Sequence, residues 1–154
     1  MSELVTKLST PLDTKFEVLK MLMNKVQAAN YIRDTIEELD WLERVAPELL
    51  TRFLKESKYQ LHDRIQIHSK PERGQCYKVS FTSALENPRY RVWFGFAETG
   101  ADDSLSNWYS HTWLYDTQDQ VFIEPTPSGR SHYYGFALSA EECLYYKNVF
   151  VKDV

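Results

Sequence analysis

The sequence predicts an α+β fold: a helical N-terminal region, packed together with one central helix on an antiparallel sheet. Three observations carry this expectation. Apolar residues recur at helical spacing through the first third of the chain. From residue 90 onward, short stretches of period-two alternation are separated by turn residues. And 17 of the 22 aromatic residues fall after residue 76, where sheet faces would bury them. At 154 residues the chain reads as one domain, with a helical part over 1–62 and a sheet-bearing part over 63–154, and it is long enough to bury a core without disulfides.

Taken in order, residues 1–12 read as an irregular arm ending in Thr10-Pro11. Thr14 with Glu17 three residues on is a capping-box pattern, and Phe16, Leu19, Leu22, Met23 and Val26 follow at helical spacing. A second helix carries Ile32, Ile36, Leu39 and Leu42. A third opens near Pro47, a residue suited to a first turn, and presents Leu49, Leu50, Phe53 and Leu54. Asp34, Glu37, Glu38, Asp40 and Glu43 line one face of the second helix and read as a solvated surface. Asp63 to His68 alternates as a short strand, and Ser69 to Gly74 is a loop by its proline and glycine.

The central helix runs from Gln75 to about Leu85 and is stopped by Asn87-Pro88. Four strands are expected after it: Tyr90–Phe96, His111–Tyr115, Val121–Glu124 and Ser131–Phe136. A polar loop, Glu98 to Asn107, separates the first two, and Thr117 to Gln120 forms a hairpin tip. Trp108 and Tyr109 sit at the end of that loop as ligand-stacking candidates. A last helix opens on the box Ser139-Ala140-Glu141-Glu142.

Composition excludes several classes. The net charge is −4, and residues 1–70 balance 11 basic with 11 acidic side chains, so the acidic excess lies in the second half. No basic stripe exists to replace the counterions of a nucleic acid. No apolar run spans a bilayer and the N-terminus has no secretory pattern, which points to the cytoplasm. The two cysteines, Cys76 and Cys143, are expected as free thiols there, with a single buried bridge left open. No metal is expected: no histidine pair has ligand spacing, and no phosphate-binding glycine loop or other cofactor motif occurs.

Chemistry concentrates in Cys76, His111 and Glu124, which are 35 and then 13 residues apart. Cys76 follows a loop and opens a helix, where unpaired N–H groups and the helix dipole favour a thiolate and an oxyanion. His111 begins a strand and titrates near neutrality, so it suits a base. Glu124 ends the next strand, across the hairpin and toward His111, where a carboxylate can orient the imidazole. Each residue alone has a plainer reading, as a buried thiol, a surface histidine or a strand-end acid.

The segments Gly74-Gln75-Cys76-Tyr77, His111-Thr112-Trp113, Glu124-Pro125-Thr126 and Tyr133-Tyr134-Gly135 together resemble the transglutaminase-like cysteine proteins of the papain-like superfamily. The resemblance covers roughly residues 70–138. It implies Cys76 as nucleophile, His111 as base, Glu124 as orienting acid, and acyl transfer from amide bonds of a protein or peptide-like substrate. Hydrolysis would make the protein a peptidase, amidase or deamidase; an amine acceptor would make it a transglutaminase. Gln75 is a candidate for the oxyanion, and Trp108 and Trp113 for substrate contact. The chain has Lys78-Val79 where the family has Asn-Ala, and Glu124 where it has aspartate. The alternative is a non-catalytic binding or inhibitory protein that holds a partner in the same aromatic cleft.

Overall fold

The computed structural model describes residues 10–25, 33–61, 65–67, 76–99, 107–125 and 130–151. Its helices are α1 (Thr10–Lys25), α2 (Arg33–Val45), α3 (Pro47–Glu56), α4 (Cys76–Glu86) and α5 (Ala140–Phe150). Its strands are β1 (Lys58–Leu61), β2 (Ile65–Ile67), β3 (Tyr90–Thr99), β4 (Asn107–Asp116), β5 (Val121–Glu124) and β6 (Arg130–Ala137). The fold is α+β. The strands form one sheet in the order β1-β6-β3-β4-β5-β2. None of the described helices is long and apolar enough to cross a membrane.

Proline sets two helix starts, one earlier than the sequence reading and one where it was expected. The first helix begins at Thr10, four residues ahead of the predicted cap at Thr14. Pro11 therefore lies inside the first turn, where a missing N–H costs nothing. Ala46 alone separates α2 from α3, with φ −156° and ψ 63° ahead of Pro47 at the helix start; the proline ring bars its predecessor from the helical region. At the far end, the Ser139 side chain accepts from the Glu142 N–H, and the Glu142 side chain accepts from Ser139 N–H, so the box closes as its spacing predicts.

The sheet is larger than expected. Lys58–Leu61, assigned by sequence to the helical part, is a strand paired antiparallel with β6, from Lys58 opposite Gly135 to Leu61 opposite His132. The four central strands β6-β3-β4-β5 are antiparallel, but β2 runs parallel to β5, so the sheet as a whole is mixed. The Thr117–Gln120 tip joins β4 to β5 with Asp116 opposite Val121, and Gln120 takes the left-handed φ of 56° that the tight turn requires. Arg89 grips Asp116 through two nitrogens, at 3.0 and 2.6 Å, and closes the base of this hairpin.

Alternation then divides the sheet into two faces. Val92, Phe94 and Phe96 of β3 join Val18, Leu22, Leu39, Leu42, Leu49, Leu50, Phe53 and Phe81 in the main core between sheet and helices. On the opposite face, Ala97, Trp113 and Tyr133 form a second buried cluster with Trp93 and Phe122 against it. Trp108 belongs to the helix-side core, fully buried and 5.7 Å from the Tyr134 ring. β4 starts at Asn107, so the residue read as the end of a polar loop is a core strand residue.

Candidate functional site

The second face is shaped by what it lacks. Across β6, β3 and β4, Gly135 lies opposite Gly95, and Gly95 opposite His111. The neighbouring rows are Tyr133–Ala97–Tyr109 and Ala137–Trp93–Trp113. Glycine and alanine keep the floor low, and larger side chains lean across it. The Trp113 ring lies so near Gly135 that a Cβ there would stand 2.6 Å from it. Tyr133 and Trp113 meet edge-on with centroids 5.1 Å apart, and the His111 ring stacks on Trp113 at 5.8 Å and 22°.

This packing brings Tyr133 to Glu124. Its hydroxyl donates to Glu124 Oε1 at 2.7 Å, and His111 Nε2 meets the same oxygen at 2.7 Å. A carboxylate only accepts, so Nε2 carries the hydrogen and Nδ1 of a neutral ring is left as the proton acceptor. Nδ1 is buried and has no hydrogen-bond partner of regular geometry. Cys76 acts on the ring both as a charge and as a hydrogen-bonding neighbour. With Nε2 held by Glu124, Nδ1 is the nitrogen left to the thiol, in the loose geometry common at resting cysteine–histidine pairs.

Burial of the ring opposes its protonation. The Glu124 charge, followed by the charge and hydrogen bond of Cys76, outweighs burial, and the His111 pKa is raised above its ordinary value of 6.5. A raised basic pKa favours the imidazolium in the fold. That stabilisation is fully present below about pH 6.5, where the unfolded residue is also protonated, and is lost as pH climbs through the folded value. The stability excess of the wild-type chain over a His111→Gln variant is therefore expected to be larger at about pH 5.5 than at about pH 9 in denaturant titrations. An excess that grew with pH would contradict the assignment.

Cys76 reaches this site from the first turn of α4, as the sequence places it. β4 pairs with β5 only from Leu114 to Asp116, and the α4 turn lies against β4 beside residues 110–112. There Thr112 Oγ1 donates to the Cys76 carbonyl at 2.9 Å, and Tyr77 hydroxyl donates to Ser110 Oγ. Relative exposure is 7% for Cys76, 1% for His111 and 0% for Glu124, so all three are buried and Cys76 is the least enclosed of them. Both cysteines are free thiols. Burial pushes the Cys143 thiol upward.

The structure thus brings Cys76, His111 and Glu124 together and stacks the fully buried Trp113 against the imidazole. It separates Trp108 from them. That ring is on the helix side of the sheet, because positions 108 and 111 of one strand face opposite ways, and the substrate-contact role expected of it is withdrawn. Gln75 lies outside the described residues. Among the described residues, no group of three His, Cys, Asp or Glu could hold a metal.

Sequence reasoning missed Tyr133 as a site residue, although its spacing from Gly135 placed both on one face. It also missed Glu38, which was assigned to a solvated surface. Glu38 Oε1 accepts from Ser110 N and Ser110 Oγ at 2.9 and 2.6 Å. No periodicity signals such a contact between residues 72 apart. The chain matches no protein-family model, no curated protein and no solved structure.

Proposed function

We propose that this protein is a cysteine-dependent acyl-transfer enzyme acting on amide bonds, similar in its chemistry to the transglutaminase-like cysteine proteins. The observation that supports it most is the buried Tyr133–Glu124–His111 chain ending at Cys76, the least enclosed of the three candidate residues. Nothing in a plain structural core requires an imidazole held in one tautomer by a fully buried carboxylate and flanked by a thiol.

In this reading, Cys76 gives its proton to His111 Nδ1 and the sulfur attacks the amide carbonyl. The oxyanion faces the unpaired N–H groups of the α4 first turn. His111 returns the proton to the departing amine as the C–N bond breaks, leaving a thioester on Cys76. Water, or a primary amine, then loses a proton to His111 and attacks the thioester; the C–S bond breaks and the thiol is restored. Glu124 stays ionised throughout and stabilises the imidazolium.

Two measurements test this reading. Iodoacetamide at about pH 6.5 is expected to label Cys76 faster than Cys143, because an imidazole partner raises the thiolate fraction of the first while burial suppresses that of the second. Equal or slower labelling of Cys76 would count against an activated thiol. Incubation with glutamine-bearing peptides or a protein lysate, followed by mass spectrometry, is expected to show hydrolysis, deamidation or crosslinking that Cys76→Ala abolishes.

A second reading, a non-catalytic binding protein, draws on a different place. A cleft of about 290 Å³ lies at the far end of α4, lined by Ala84, Leu85, Pro88, Tyr90, Leu138 and Cys143. A partner seated there would bind equally well to the Cys76→Ala variant, and that retention distinguishes the two readings.

A further inference from the structure

Four hydrogen bonds converge on the edge of β4 that β5 leaves open. Trp108 N–H donates to Thr35 Oγ1 at 3.0 Å and Ser110 N–H to Glu38 Oε1 at 2.9 Å. Thr35 and Glu38 are three residues apart on α2, hence on one helical face, and residues 108 and 110 are alternate outward N–H groups of the strand. Helix α2 therefore satisfies the sheet edge in place of a neighbouring strand. Ser110 then donates its hydroxyl to Glu38 Oε1 at 2.6 Å and accepts from the Tyr77 hydroxyl. Tyr77 is the residue after Cys76.

We propose that Tyr77, Ser110 and Glu38 form a positioning relay that sets the Cys76 sulfur in register with His111, so that α2 is part of the catalytic unit. The inference rests on the acyl-transfer reading and adds to it residues that touch neither substrate nor reacting atoms. The geometry makes the case. Ser110 and Thr112 flank His111 on β4 and face the side opposite to it. One holds the Tyr77 side chain and the other the Cys76 carbonyl. The nucleophile is thus tied by its own backbone and by its neighbour to the two residues on either side of the base.

The relay has a single polarity. Glu38 can only accept, so Ser110 must donate to it, and the remaining Ser110 lone pair receives Tyr77. Desolvation of the tyrosine hydroxyl, then the nearby Cys76 and Glu38 charges, push the Tyr77 pKa well above its usual value, which keeps Tyr77 a donor at every working pH. Reaction at a thiol tolerates little misplacement, and a shift on the order of 1 Å at a supporting element can cost orders of magnitude in rate.

The test uses the full chain and follows iodoacetamide capture of Cys76 across pH by mass spectrometry, in wild-type, Tyr77→Phe, Glu38→Ala, Glu38→Gln and His111→Ala proteins. Tyr77→Phe and Glu38→Ala are expected to lower the His111-dependent rate by about five- to tenfold, the equivalent of one net hydrogen bond, and to move the pH profile. Glu38→Gln, whose amide oxygen still accepts from Ser110, is expected to recover most of what Glu38→Ala loses. A merely structural contact would lower unfolding stability and leave the profile in place. Folded Tyr77→Phe with a wild-type profile would overturn the relay while the cysteine–histidine pair stands. If His111→Ala reacts like wild type, the pair itself fails and the relay falls with it. Should Glu38→Ala not fold, Tyr77→Phe, which loses a single hydroxyl, decides alone.

Discussion

Glu124→Ala is expected to destabilise the fold by about 3–5 kcal/mol, the range for removing one partner of a buried ionic pair. The carboxylate is fully buried, and its Oε1 receives two donors, His111 Nε2 and the Tyr133 hydroxyl. Alanine removes that acceptor from both donors. Each unmet buried donor costs about 1–3 kcal/mol, so two together account for the expected loss without any contribution from packing. The activity should fall further than the stability. Glu124→Gln separates the effects: it keeps an acceptor oxygen and nearly the same volume, but removes the charge that raises the His111 pKa. That variant is expected to fold and to lose activity by about 10²–10⁴-fold, the usual span for an impaired acid–base residue. Denaturant unfolding at neutral pH and turnover of a peptide amide are the measurements. A Glu124→Ala protein within about 1 kcal/mol of wild type would show that the carboxylate does not hold this cluster.

The expected cost rests on a register that local pattern made legible. The Thr117–Gln120 tip and the alternation on either side place Glu124 toward His111, and the observed pairing of Leu114 with Ile123 sets Glu124 next to Trp113. The Ser139 box and the helix opening at Cys76 were equally local. What stayed illegible depends on partners far along the chain. Lys58–Leu61 alternates over only four residues directly after a helix, too short a run to stand out, and it is a strand because β6 offers an edge. Trp108 reads as loop because the polar residues before it hide the strand start, and its burial comes from the helix-side core it joins beside Tyr134. Glu38 sits among four other acids and looks solvated; an uncovered strand edge makes it an internal acceptor. The α+β layout and the elements that carry Cys76, His111 and Glu124 follow from periods of two and 3.6, whereas the contacts around those residues come from tertiary packing that overrides local pattern.

Gly95→Ala is expected to be the most damaging single methyl in the molecule. A Cβ at Gly95 would lie 1.9 Å from the Tyr134 carbonyl oxygen and 2.5 Å from the Gly135 Cα. Both atoms are backbone of the adjoining strand, so no rotamer change relieves the clash. β3 and β6 would have to separate at the row where Gly95 faces Gly135. Ordinary overpacking costs about 1–3 kcal/mol because side chains give way; here the loss should exceed about 4 kcal/mol. The entropy that alanine removes from the unfolded chain returns only about 0.4–1 kcal/mol, too little to offset it. Gly135→Ala should be milder, since its closest contacts at 2.6 Å include the Trp113 ring as well as the Phe94 oxygen, and a ring edge can tilt. The two substitutions also differ at the site. Tilting Trp113 disturbs the face on which His111 stacks, whereas parting β3 from β6 carries Tyr133 away from Glu124 and removes one of its two donors. Melting temperature and Cys76 alkylation rate, measured on both variants, should therefore rank Gly95→Ala below Gly135→Ala on each scale. A Gly95→Ala protein that melts with wild type would mean that the low glycine floor is not what lets the aromatic side chains reach across the sheet.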